Sequence, residues 1–205
     1  MSDTLTFQAS LLDQTTAEPT FDPTFAHLRR HRLPDAAWID RQPGWVSGAD
    51  QLYQAAEAHL PWRTGTERIR GSEVARPRLV ASVDRDALPP DLRLLGLLSD
   101  ALSHRYGVRL DAITCNLYRN GRDSVAWHGD RVARDLPEAI VAIVSLGEPR
   151  PFRVRPRGGG SSLSWSAGHG DLLVMGGSCQ RTCEHSVPKV AAAGPRIALM
   201  YRVRR

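Results

Sequence analysis

Hydrophobic and polar positions divide the chain into two unequal parts. Between Ser47 and Pro61 apolar residues recur at helical spacing, with Leu52, Ala55, Ala56 and Leu60 on one side. Ser47 and Asp50 have the spacing of a capping box, so the helix is predicted to begin at Ser47 and to stop at Pro61. A second helix is predicted to open at Pro89-Pro90. There Leu92, Leu95, Leu98, Leu102 and Tyr106 share a face, and Gly107 is placed to cap the end. From Ala112 onward the period changes. Short apolar or alternating runs are separated by turn signals: Ala112–Tyr118, Ser124–Asp130, Ala139–Gly147, Phe152–Pro156, Ser162–Ser166, Leu172–Gly176, Glu184–Val187 and Arg196–Arg204. Asn120-Gly121 marks a hairpin, and Gly158-Gly159-Gly160 and Gly168-His169-Gly170-Asp171 mark turns. Eight short strands at this spacing predict a jelly roll or barrel, mainly β with supporting helices.

The part before Ala112 is less regular. Residues 1–34 hold several prolines and are weakly periodic, and read as a partly flexible arm carrying the basic cluster His27, Arg29, Arg30, His31 and Arg32. Trp38 to Trp45 reads as a strand with a turn, and Leu79 to Val83 as a short strand. Residues 35–205 are expected to form a single domain. A basic stretch at about 63–84 would be a loop or hairpin beside the site, and the jelly-roll core would start at about 112. At 205 residues with 41% hydrophobic and 24% charged residues, the chain fits one soluble domain with a sizeable core. No apolar run is long enough for a membrane span and no signal peptide is read, so a cytoplasmic location and no membrane partner are expected. A monomer is the default expectation.

The net charge of +5 changes the picture only by favouring polyanionic partners. Arg63, Arg68, Arg70, Arg76 and Arg78, and then Arg150, Arg153, Arg155 and Arg157, are candidates for phosphate contact or for a solvated face. The three cysteines argue against a disulfide framework. Cys179, Cys183 and His185 have part of a zinc spacing, but no second ligand pair is near.

Candidate chemistry begins at Trp127-His128-Gly129-Asp130. On a strand His128 and Asp130 face the same side. With His185 from a distant strand they would form two imidazoles and one carboxylate, the set that leaves coordination positions open on non-haem Fe(II). Alone, a His-x-Asp pair is as compatible with surface or core polar residues. Arg196 and Arg202 share a face of the last strand with Ala198 and Met200. If that face is enclosed they require an anion such as a dicarboxylate; if the strand is an edge, solvent suffices. Asn116 and Tyr118 share a strand face and could hydrogen-bond a carboxylate, or be satisfied core groups.

In order along the chain, Asn116-x-Tyr118, His128-x-Asp130, His185, and Arg196 with Arg202 resemble the AlkB family. Gly170 to Gly177, Gln180-Arg181 and His185 to Lys189 resemble its bacterial members. The resemblance implies a double-stranded β-helix, Fe(II) on His128, Asp130 and His185, and 2-oxoglutarate on Asn116, Tyr118, Arg196 and Arg202, with O2 as the other cosubstrate. It implies hydroxylation of N-methyl groups on bases of the 1-methyladenine or 3-methylcytosine type, in DNA or RNA, with loss of formaldehyde. Arg70, Arg131 and Arg157 are the expected substrate contacts. Ser82-Val83-Asp84, Arg131-Val132, Cys183 and Ala198 depart from the family pattern and bear on which base is bound. The same cofactor chemistry on RNA, protein or a small molecule is the alternative reading, and a non-catalytic jelly-roll binding protein a further one.

Overall fold

The computed structural model describes residues 18–69, 72–130 and 138–204. Fourteen strands and three α-helices are found among them. In chain order they are β1 (Thr20–Phe21), β2 (Arg29–Arg32), β3 (Trp38–Gln42), β4 (Val46–Ser47), α1 (Ala49–His59), β5 (Arg63–Ile69), β6 (Ser72–Val83), α2 (Arg93–Tyr106), β7 (Ala112–Tyr118), β8 (Val125–His128), β9 (Val141–Gly147), β10 (Arg150–Pro156), β11 (Leu163–Ala167), β12 (Leu172–Gly176), α3 (Cys179–Thr182), β13 (Cys183–Val187) and β14 (Arg196–Arg202).

The strands form a major sheet of order β2-β3-β12-β9-β14-β7-β6-β5 and a minor sheet of order β11-β10-β13-β8, with β1 and β4 as a separate pair. This is the jelly-roll architecture expected from the strand spacing. The central strands of the major sheet are apolar on both faces because both faces are covered. Ile113, Cys115, Leu117, Val144, Ile197, Leu199 and Tyr201 pack in one cluster with Leu52, Leu95, Leu98 and Leu102 of α1 and α2. Their alternating neighbours Tyr118, Ile143, Leu173, Met175, Ala198 and Met200 pack instead with Phe152, Val154 and Val187 of the minor sheet. The period of two thus sorts one strand set into two cores.

Several boundaries differ from the sequence pattern. The capping box at Ser47 does not form: α1 is entered through Gly48 in the left-handed region (φ 64°), with no side-chain cap. A 3-10 turn at Pro90–Leu92 precedes α2, which ends on Gly107 at φ 66° as expected. The arm expected up to Pro34 contributes β1 and β2, and β2 adds to the major sheet beside β3. The basic stretch after Pro61 is a hairpin, with β6 running twelve residues to Val83. Pro77 fits there because the β5–β6 register slips between Thr64 and Thr66, opposite Arg76, Pro77 and Arg78. No described helix is long and apolar enough to cross a membrane.

On the helix-covered face of the major sheet, Trp38 ties β3 to α2. Its ring lies 5.8 Å from that of Tyr106 and nearly parallel to it, under the Arg30 guanidinium at 3.8 Å. Asp40 accepts from both Arg30 (2.7 Å) and Tyr106 (3.0 Å). Gly176, the register partner of Trp38, lies directly against the indole: a Cβ there would come within 2.0 Å of the ring.

Candidate active site

The two sheets enclose a cavity of about 330 Å³, and every residue expected to bind metal or cosubstrate lines it. His128 and His185 are direct partners across the β8–β13 ladder, with ring centroids 4.2 Å apart. Asp130 stands just beyond the end of β8 rather than on it. Even so, ligand atoms of His128, Asp130 and His185 all lie within 4.8 Å of one another. This is the only cluster of at least three such groups among the described residues.

Each member is held by a tie of its own. His128 Nδ1 is 2.9 Å from the Ala126 carbonyl, which can only accept, so Nδ1 is the donor there and Nε2 is the nitrogen available to a metal. The Asp130 backbone N–H donates to Gln180 Oε1 at 2.9 Å. Gln180 is buried at the start of α3, and its amide nitrogen reaches Met175 Sδ. The Asp130 carboxylate accepts from Arg202 through Nε and Nη2 at 3.1–3.2 Å. Burial opposes ionisation of Asp130, but the fields of Arg202, His185 and His128 together hold its carboxyl below the usual range. His185 stacks on Phe152 at 5.5 Å. Its burial, with His128 and Arg202 nearby, pushes its pKa down to about 3, keeping the imidazole neutral as a metal ligand requires.

The opposite wall comes from the major sheet. On β14, Arg196, Ala198, Met200 and Arg202 all face the cavity, so the strand is central and enclosed rather than an edge. Arg196 is 1% exposed. Its Nη2 donates to Ser145 Oγ at 2.8 Å, while Nε and Nη1 are buried without partners. Its guanidinium carbon lies 5.2 Å from the centroid of the Tyr118 ring. Burial, with the Arg150 cation nearby, drives the Arg196 pKa below its ordinary value against the opposing pull of Tyr118 and Asp171. On β7, Asn116 and Tyr118 share the cavity face with Thr114, which accepts from Arg202 Nη1 at 2.7 Å.

The donor set therefore fits the groups it was expected to hold. Two imidazoles and a carboxylate suit Fe(II), and the buried, unpartnered Nε and Nη1 of Arg196 each offer a charge-assisted donor to an anion such as a carboxylate. Arg202 is different: its guanidinium is engaged with Asp130 and Thr114, so it links the metal set to the major sheet.

The other predicted contacts fare unevenly. Arg70 and Arg131 lie outside the described residues. Arg157 is not part of the cavity lining; it donates to the carbonyls of Arg181 (2.6 Å) and Gln180 (3.0 Å) and lies over Gly129, where a Cβ would come within 2.5 Å of its Nη2. Arg150, grouped above with possible phosphate contacts, is buried. It donates to the carbonyls of Asn120, Asp123 and Pro188, pinning the hairpin turn against the loop after β13. Its parity with Phe152 and Val154 points it inward, a signal present in the sequence. Arg155 pairs with Glu184 at 3.0 Å and covers the Trp127 ring, while Arg153 is exposed. The zinc spacing at Cys179, Cys183 and His185 is not used: His185 joins His128 and Asp130, and the two thiols pair with each other. The hydrogen bond from Cys179 lowers the Cys183 thiol pKa and raises that of Cys179 itself.

Sequence reasoning missed Ser145, Thr114 and the anchoring role of Gln180. None stands in a motif with a mechanism of its own: Ser145 and Thr114 act through arginine side chains of β14, and Gln180 acts through the Asp130 backbone N–H.

The sequence pattern of the family described as the 2OG-Fe(II) oxygenase superfamily matches residues 10–202. The bovine protein named alpha-ketoglutarate-dependent dioxygenase alkB homolog 3 is 30% identical over 186 aligned residues, covering 78% of this chain and 64% of that protein. DNA oxidative demethylase ALKBH2 of Arabidopsis thaliana is 30% identical over 215, covering 82% of this chain and 66% of that protein. The chain thus spans slightly less than two thirds of the length of these relatives. Among solved structures, OsALKBH1 superimposes with a TM-score of 0.59 at 12% identity, covering 86% of this chain and 100% of the other, which shows the shared fold.

Proposed function

Because the chain belongs to the 2OG-Fe(II) oxygenase superfamily and is AlkB-like within it, we propose that it is a dioxygenase that demethylates N-methylated bases of nucleic acid, with release of formaldehyde and succinate. The observation that carries the reading is the enclosure of His128, Asp130 and His185 in one cavity with the unsatisfied guanidinium of Arg196. A binding module has no use for an open metal set beside a buried cation awaiting a carboxylate.

In this reading His128, Asp130 and His185 hold Fe(II). Arg196, with Tyr118 beside it, receives one carboxylate of 2-oxoglutarate, and Asn116 and Arg202 lie near the other. Bound Fe(II) and 2-oxoglutarate supply the oxidising chemistry with O2. The chain's own residues do the placing. The Nδ1–Ala126 hydrogen bond fixes which imidazole nitrogen of His128 can bind metal, and Arg202 and Gln180 fix Asp130 beyond the strand end. Phe152, Ile143, Val187 and Met200 give the cavity dry walls. A base in a duplex would have to leave the stack to enter, which costs a few kcal/mol. The names of the relatives, which speak of DNA demethylation and of an alkB homologue, support nucleic acid as partner.

The test is reconstitution with Fe(II), 2-oxoglutarate and O2 on oligonucleotides carrying single methylated bases, with succinate, formaldehyde and base composition measured. Demethylation with stoichiometric formaldehyde is expected. Succinate formed without any change in the bases would refute nucleic-acid demethylation and leave a dioxygenase of another substrate.

A further inference from the structure

β6 runs beside β7 with Val80 opposite Asn116 and Ser82 opposite Thr114. Its even-numbered residues therefore share the cavity face with the cosubstrate wall, and Arg76, Arg78, Val80 and Ser82 all line the cavity. Arg78 donates to the Ser124 carbonyl at 3.3 Å. Arg76 is in a different position. It sits at the register slip opposite Gly65, where the absence of a side chain lets its δ-carbon and guanidinium lie close over the backbone: a Cβ on Gly65 would meet Arg76 Cδ at 3.1 Å. Its Nε is buried and unpartnered, and among the described residues it forms no ion pair.

Asp130 is the only carboxylate among the described residues of the lining, and it belongs to the metal set and to Arg202. Arg196 is suited to the cosubstrate. That leaves the Arg76 guanidinium as a held, half-buried donor facing the rest of the cavity. A guanidinium donates hydrogen bonds and accepts none, so it suits a carbonyl oxygen and repels a cation. Methylated bases fall into two classes on this point. N1-methyladenine and N3-methylcytosine are cations at neutral pH and present protonated exocyclic nitrogens; the first has no keto oxygen, and the second keeps one (O2) on a ring whose positive charge the guanidinium repels. N1-methylguanine and N3-methylthymine are neutral and present keto oxygens beside the methylated nitrogen.

We propose that Arg76 is a specificity-determining residue that selects neutral, keto-bearing N-methyl bases over cationic ones. This rests on the demethylase reading above. Substrate entry would pair the Arg76 donors with a keto oxygen, in a cavity where the described lining offers a cationic base no free carboxylate.

The experiment compares kcat/KM on matched single-stranded oligonucleotides carrying N1-methylguanine, N3-methylthymine, N1-methyladenine or N3-methylcytosine. It uses the wild-type chain and the Arg76→Gln, Arg76→Lys and Arg76→Glu variants. The wild type is expected to favour the two neutral bases by at least about tenfold. Arg76→Gln should collapse that ratio, Arg76→Lys should restore part of it, and Arg76→Glu should turn it toward the cationic bases. Preference for cationic bases in the wild type, or an equal loss on all four in Arg76→Gln, overturns the assignment and leaves the demethylase reading standing. Succinate formation with no demethylation of any of the four overturns the demethylase reading, and the assignment with it.

Discussion

On the major sheet, β7 and β14 have hydrogen-bonded neighbours on both sides, and their cavity-facing side chains, from half-buried Thr114, Asn116 and Arg202 to buried Tyr118 and Arg196, stand against the core between the sheets. On the minor sheet, His128 is the last residue of an edge strand four residues long, its ladder to β13 slips between His185 and Val187, and Asp130 lies past the strand altogether. Backbone pairing thus positions the anion-binding wall, whereas individual side-chain ties position the metal-binding wall. A substitution on the first should disturb packing and affinity together. One on the second can change the chemistry while the fold stays intact.

The largest effect expected from this contrast is at His128. His128→Ala should abolish succinate formation while moving the melting temperature little, because an edge-strand terminus carries few packing contacts. Turnover near the wild-type level would place the metal elsewhere. Next is Arg196→Ala, which removes a buried guanidinium that only a carboxylate can fully satisfy. KM for 2-oxoglutarate should rise by about 30-fold or more, on the scale of losing one partner of a buried charge pair. An unchanged KM would transfer the role to another cation. Gln180→Ala should weaken Fe(II) binding by about 10–100-fold, typical of residues that orient metal ligands, with kcat recovering at saturating iron. Direct titration with Fe(II) under anaerobic conditions reads this, and identical affinity would mean Arg202 alone positions Asp130. The smallest effect on the site should come from Gly176→Ala. Its new Cβ collides with Trp38, so denaturant unfolding should show a loss of about 1–3 kcal/mol. Metal affinity should not move, because that contact serves the helix-covered face.

What could be read in the chain follows the same division. The apolar parity of β7, β9, β12 and β14 was plain, because two buried faces leave few polar positions and two-residue alternation assigns the rest. Arg196 and Arg202 could be put on one face from parity alone, but not their different engagements, since Ser145 and Thr114 come from strands far away in sequence. His128 and His185 could be named as partners in chemistry, but their adjacency depends on a ladder between β8 and β13 that no local pattern encodes. The capping box failed because Gly48 enters the helix from the left-handed region, taking Ser47 out of reach of the first turn. The charge of Arg150 suggests a phosphate contact or a solvated face, but its parity with Phe152 and Val154 points it inward, where three backbone carbonyls satisfy it.

The place of β14 between β9 and β7 also bears on how the chain folds as it is made. β7 and β9 emerge from the ribosome long before the strand that must lie between them, and β3 waits for β12 across more than a hundred residues. Pairings this far apart in sequence form slowly and leave strand edges exposed meanwhile. Insertion of Arg196–Arg202 closes that gap and in the same step delivers both guanidiniums to the cavity. Completion of the sheet and assembly of the anion site are therefore one event, and no partly folded form of this chain can offer the second without the first.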